Sequence, residues 1–202
     1  MTSLPLAALV ETSAAVGATR SRKEKTAALA ELLSATAPDE VALVVALIAG
    51  DPRQGRIGIG WSTLSAVETT PAAEASLTVA DLDVLLDEVA ATTGEGSTAA
   101  RHELLRAVLA AATEAEADFM RRLLLGELRQ GANEGLVVEG VAKASGVKAA
   151  VVRRALMLSG DLGLVTETAV TAGAEGLAAI GLQLGRPMRP MLASTASGVS
   201  DA

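Results

Sequence analysis

Cysteine is absent and histidine occurs once, at His102. Disulfide frameworks, thiolate metal sites and cysteine nucleophiles are thereby excluded, and the redox compartment is left open. A His-rich metal site is excluded too, and His102 alone could act as an imidazole acid or base. It stands beside Arg101 near a predicted helix start, where a solvated position is the simpler reading. Aromatic residues are almost missing, with Trp61 and Phe119 the only two. A β-sandwich draws on more of them, and a stacking platform for single-stranded nucleic acid needs exposed rings. No apolar run approaches the ~18 residues of a membrane span. The opening Met1-Thr2-Ser3-Leu4-Pro5 lacks the basic region of a secretory signal. A cytoplasmic location without a membrane partner is expected.

What is present is helical. Half of the 202 residues are apolar, and Ala, Leu and Val supply most of them. Ala and Leu head the helix scale. The predicted class is all-α, a compact multi-helix array. Net charge is −7, from 17 bases and 24 acids, and it is unevenly placed. Seven acids (Glu68, Glu74, Asp81, Asp83, Asp87, Glu88 and Glu95) and no base lie between Ile57 and Ala100. The rest of the chain is balanced. A polyanion partner must therefore avoid one region and meet the bases elsewhere.

Helix punctuation divides the chain. Ser21 and Glu24 form a capping-box pattern opening a helix to about Ala35. Pro38, Asp39 and Glu40 suit a helix start, and Gly50 its end. Thr78 with Asp81, Ser97, and Thr113 with Glu116 predict three more starts, with ends near Gly94 and at Gly126. The Ser97 helix carries Leu104, Leu105, Val108, Leu109 and Ala112 on one stripe. Helices over about 134–145 and 147–158, and a shorter one over about 174–181, complete the pattern.

Sliding the chain by 76 residues exposes an internal repeat. Leu29, Leu33, Glu40 and Leu47 fall on Leu105, Leu109, Glu116 and Leu123. Gly50-Asp51-Pro52-Arg53-Gln54-Gly55 then lies over Gly126-Glu127-Leu128-Arg129-Gln130-Gly131. Two related units, about 21–96 and 97–163, with a pseudo-twofold relation are expected. Residues 1–184 read as one helical domain. Residues 185–202, with Arg186-Pro187-Met188-Arg189-Pro190-Met191-Leu192, read as a linker.

Catalytic constellations are missing. No Walker A, GxGxxG or HExxH pattern occurs. Asp81, Asp83, Asp87 and Glu88 are spread around a helix without the turn of a calcium loop. No lysine stands in a Lys-x-Asp-Gly context. This chain alone is expected not to be an enzyme, and to carry no cofactor or metal.

Binding features are richer. Glycine turns ahead of helices leave backbone N–H groups at a positive helix end, which suits phosphate. Gly94, Gly96, Ser97 and Thr98, ahead of Arg101, fit this pattern, as do Gly160, Leu162 and Gly163; plain turns and C-caps are the structural alternative. Arg20, Arg22 and Lys23 lie near the first unit, and Arg153 and Arg154 near the second. Arg53 corresponds to Arg129, which is followed by Gln130 and Gly131. These residues are the candidate contacts to a duplex backbone. Two other readings compete. Val141 to Leu156 matches a helix-turn-helix regulator with Lys148 and Ala149 in the major groove. The acidic 57–100 segment suits a helical protein-interaction module.

Taken together, Gly126-Glu127-Leu128-Arg129-Gln130-Gly131, Ser159-Gly160-Asp161-Leu162-Gly163-Leu164-Val165 and the Arg186–Ala193 segment resemble the N-terminal DNA-binding domain of ATP-dependent DNA ligases. The likeness is to the actinobacterial three-domain type and runs from about Arg20 to Ala193. It implies a helical domain that holds nicked double-stranded DNA on its minor-groove side through loops and helix ends, without reading sequence. It also implies adenylation and OB-fold domains as partners, ATP and Mg as cofactors of a full-length ligase, and roles in DNA replication, repair and recombination. The 185–202 linker would lead to the adenylation domain. Where relatives carry several bases, Ser97-Thr98-Ala99-Ala100-Arg101 has one.

Overall fold

The computed structural model describes residues 3–55, 57–128 and 134–182. Among them the chain forms α1 (Leu6–Ala18), α2 (Arg22–Ala35), α3 (Val41–Ala49), α4 (Trp61–Ser65) and α5 (Val79–Ala91), followed by α6 (Ser97–Ala111), α7 (Glu114–Leu125), α8 (Glu134–Ser145), α9 (Ala149–Ser159) and α10 (Leu162–Ala179). A single isolated bridge, Pro5 with Thr78, is the only β pairing among the described residues. The fold is all-α.

Local chemistry sets most helix starts. The Ser21 hydroxyl accepts the Glu24 N–H at 3.3 Å and opens α2. Thr78 with Asp81 and Thr113 with Glu116 form reciprocal capping boxes at α5 and α7. Each satisfies two backbone or side-chain donors that a helix start would otherwise strand. α3 begins later than Pro38 suggests, because the Glu40 N–H closes a turn onto the Ala37 carbonyl at 2.9 Å.

Three helices differ from expectation: α1 and α4 are not predicted, and α10 is longer than predicted. α1 has no side-chain N-cap. Long-range contacts hold its entry instead: the Glu40 carboxylate accepts the Leu4 N–H at 2.9 Å and the Ser3 hydroxyl. The Leu6 N–H reaches the Leu77 carbonyl at 2.9 Å. α10 begins at Leu162, well before the short helix expected at 174–181, and kinks at Gly173, whose φ of 61° and ψ of −147° are not helical. A side chain there would be strained, so glycine marks the bend.

The core is leucine and valine around one aromatic ring. Phe119, Leu29, Leu33, Leu105 and Leu109 are essentially inaccessible. Burial of each such side chain favours folding by roughly 1.5–3 kcal/mol. α2 running along α8 is the most extensive helix pair, and α10 packs against both α3 and α9. A Cβ built on Gly140 of α8 would stand 2.8 Å from the Leu29 Cβ of α2, so glycine permits this close approach.

The 76-residue offset holds locally. α2 and α3 correspond to α6 and α7, and both hairpins end on a left-handed glycine. Gly50 has φ 74° and ψ 22°; Gly126 has φ 69° and ψ 26°. Each donates back to the last turn, and the following Asp51 and Glu127 N–H groups bond the carbonyls of Ala46 and Arg122. The two exits also meet, since a Cβ on Gly50 would lie 3.4 Å from the Leu128 Cβ. A pseudo-twofold relation of whole units is not confirmed: the element after the first hairpin, α4, has five residues, whereas α8 after the second has twelve. The expected 185–202 linker lies outside the described residues.

Candidate nucleic-acid interface

Among the described residues, the predicted bases other than Arg101 fall into two assemblies. The first is built by the close α2–α8 packing. Glu139, next to Gly140, faces α2, and its carboxylate accepts Arg22 Nε at 2.9 Å and Arg22 Nη2 at 2.7 Å. The Thr26 hydroxyl adds a 3.4 Å contact. Arg153 of α9 places its Nη2 3.9 Å from the same carboxylate. Arg22 and Arg153, far apart in sequence, thus share one acid. The hydrogen bond from Arg22 holds the Glu139 carboxyl below the usual glutamate range, with burial opposing it and Arg153 adding a smaller pull. The same bond raises the Arg22 guanidinium above its ordinary value. Arg20 and Lys23 lie beside Arg22, and Arg154 beside Arg153; all are exposed, as is Lys143, one helical turn beyond Glu139. The entry to α2 is fixed by Thr19, which accepts the Ser21 N–H at 3.0 Å.

The second assembly holds Arg53. Its Nε donates to Asp83 Oδ1 at 2.9 Å, its Nη2 reaches Asp83 Oδ2 at 2.7 Å, and Asp87 takes a further bond. Gln54 Nε2 donates to both carboxylates, at 2.7 and 2.9 Å. The bonds to Asp83 and then Asp87 raise the Arg53 guanidinium well above its usual value. Asp87 is lowered, first by Gln54 and then by Arg53. The exit loop of α3 is therefore docked onto α5, and its arginine is engaged by acids. Arg129, Gln130 and Gly131 of the matching loop lie outside the described residues. The exits of α3 and α7 border a cavity of about 560 Å3 lined by Gly50–Pro52, Ile57–Ile59 and Leu123–Gly126.

The glycine turns separate in the same way. Gly96 is the N-cap of α6 with φ 79°, and no side chain caps that helix. Gly94, Gly96 and Thr98 are exposed and Ser97 is half-buried. Arg101 acts as a strut, donating from Nε to the Thr92 carbonyl at 2.8 Å. Its Nη1 lies beside Gly58, 3.4 Å from where a Cβ would sit. His102 Nε2 stands 3.1 Å from the Ala66 carbonyl, a structural contact. At the other turn, the Asp161 carboxylate accepts the Leu164 N–H at 2.9 Å. An acid thus occupies the position an anion would take. Gly160 closes α9, and a Cβ built on Gly163 would lie 3.3 Å from the Ala42 Cβ. Leu162 is half-buried.

Three functional candidates escaped the sequence reading. Glu139 and Gly140 carry no motif, and their importance comes from the α2–α8 contact. Trp61 is 72% exposed at the start of α4. Lys148 is the N-cap of α9, but Val152, Ala155 and Leu156 of that helix are core residues. The α8–α9 pair is a packed hairpin.

This arrangement defines an all-helical domain with a composite basic surface and a separate acidic one. Residues 64–142 match the family described as DNA ligase N terminus. The chain is 53% identical over 96% of its length to a probable DNA ligase of Nocardia farcinica, covering 37% of that protein. It is 51% identical over 98% of its length to one from Saccharopolyspora erythraea, covering 39%. To one from Anaeromyxobacter dehalogenans it is 50% identical over 98%, again covering 39%. The chain spans about 37–39% of the length of these relatives.

Proposed function

We propose that the chain binds the backbone of nicked duplex DNA without reading sequence, as the DNA-binding part of an ATP-dependent DNA ligase. Arg20, Arg22, Lys23, Arg153 and Arg154 supply the principal phosphate contacts. The α6 entry at Gly94–Thr98, placed by Arg101, supplies backbone donors. Arg129, Gln130 and Gly131, singled out by their sequence motif, extend the contact. The observation that carries this reading is the convergence of Arg22 and Arg153 on Glu139, which leaves two guanidinium groups against one carboxylate. Such an excess of fixed positive charge suits phosphate, and phosphate contacts position a protein without specifying bases.

Strand sealing with ATP and Mg, and contacts to adenylation and OB-fold domains, belong in this proposal to the longer protein. The residues in hand do not fit those cofactors. The chain has no Lys-x-Asp-Gly sequence. Among the described residues no group of three or more His, Cys, Asp or Glu is disposed to hold a metal. No helix among them is long and apolar enough to cross a membrane.

Fluorescence anisotropy of a labelled nicked duplex reads the binding. Titration with nicked duplex at increasing salt is expected to give log K falling linearly with log salt. Affinity independent of salt overturns the proposal. A strong preference for one palindromic sequence would replace it with the regulator reading.

A further inference from the structure

A second surface lies apart from the base cluster. A groove of about 1010 Å3 runs between α3, α5 and the first turns of α10. Its volume is at or above the roughly 300–1,000 Å3 typical of small-molecule pockets. The floor is apolar, formed by Leu43, Ala46, Ala49, Val84 and Leu162 among others. Val84 is 55% exposed, an open branched side chain on an otherwise well-covered helix. The rim carries seven carboxylates against one guanidinium, Arg53. Asp83 and Asp87 already neutralise that guanidinium. Asp39, Asp51 and Glu167 are exposed rim acids with no ion pair among the described residues.

These features select the occupant by charge and shape. A polyanion is repelled. A neutral apolar ligand would strip water from the rim acids without compensating them. A lone cation would leave the apolar floor unused. The chemistry that satisfies both parts is an extended or helical segment with Lys or Arg interleaved with apolar side chains. We propose that the α3–α5–α10 groove docks such a cationic, partly apolar segment of a partner protein.

The test uses the whole chain and a fluorescent synthetic peptide of alternating Arg and Leu, read by anisotropy. Saturable binding is expected. The double variant Asp51→Asn/Glu167→Gln should weaken it about tenfold, a change of ~1.4 kcal/mol. Val84→Lys, which puts a cation on the floor, should weaken it as well. Glu11→Gln on α1 should leave it unchanged, and all variants should keep the parent far-UV spectrum. Three results overturn the proposal: no binding, undiminished binding by the double variant, or equal binding of an Arg–Ser peptide of the same charge. The readout is independent of DNA affinity, so this idea and the DNA-binding proposal fail separately.

Discussion

The corners around Arg22 and Arg53 are built from the same parts in inverse proportion. At the first, two arginines share one glutamate, for a formal charge of +1. At the second, one arginine serves two aspartates, for −1. The arginines are similarly exposed, 63% for Arg22 and 54% for Arg53. Exposure and residue type therefore do not distinguish a surface suited to phosphate from one that repels it. The local ratio of acid to base does, and tertiary packing sets that ratio. Glu139 reaches Arg22 because Gly140 lets α8 approach α2; Asp83 and Asp87 reach Arg53 because the α3 exit loop lies on α5.

The strongest disruption of this contrast comes from the backbone. Gly140→Ala forces a methyl group to within 2.8 Å of Leu29. Overpacking of this kind costs ~1–3 kcal/mol. Thermal unfolding should show the loss, and the basic corner should lose DNA affinity as α8 moves away. Full stability in this variant would mean that the two helices have room to spare.

Replacing the charges tests the contrast directly. Arg22→Ala with Arg153→Ala should lower affinity for nicked duplex by about tenfold and make the salt slope shallower by roughly two. Arg53→Ala, made alone, should leave the slope unchanged, because that guanidinium is already committed to acids. Equal effects at the two corners would erase the distinction.

A smaller effect follows from acidity. Glu139 sits below the ordinary glutamate value of 4.5 in the folded chain. Its depressed pKa gives a stabilising contribution that is fully present above that value and is lost as pH falls through the folded pKa. Wild type should therefore lose stability below about pH 4.5 slightly more steeply than Glu139→Gln, as followed by denaturant titration. At neutral pH the same variant should bind DNA a few-fold more tightly, since the corner gains one positive charge. Weaker binding would show that Glu139 is needed to aim the arginines.

Much of the fold is legible in the residues. Ser21–Glu24, Thr78–Asp81 and Thr113–Glu116 mark three helix starts because each is a local, self-contained arrangement. Gly50 and Gly126 mark two ends for the same reason. α1 is not legible, since its entry depends on Glu40 and Leu77, distant in the chain. The start of α10 is hidden because Asp161 stands in a glycine turn, where it reads as loop rather than as the N-cap it is. The site is less legible still. Arg22, Arg53 and Arg153 can be picked out as bases, but their partners Glu139, Asp83 and Asp87 follow from helix packing that no sequence spacing encodes. The family likeness, in contrast, rests on short segments whose order is linear and was readable directly.

The shared carboxylate of Glu139 has a consequence for association. A solitary surface arginine samples many rotamers and loses that freedom when a ligand immobilises it, at a cost of about 0.5–1.5 kcal/mol. Arg22 is already fixed by two hydrogen bonds in the free protein. An arriving anion thus meets a side chain whose disorder was removed during folding, and this corner is preorganised before any strand is near.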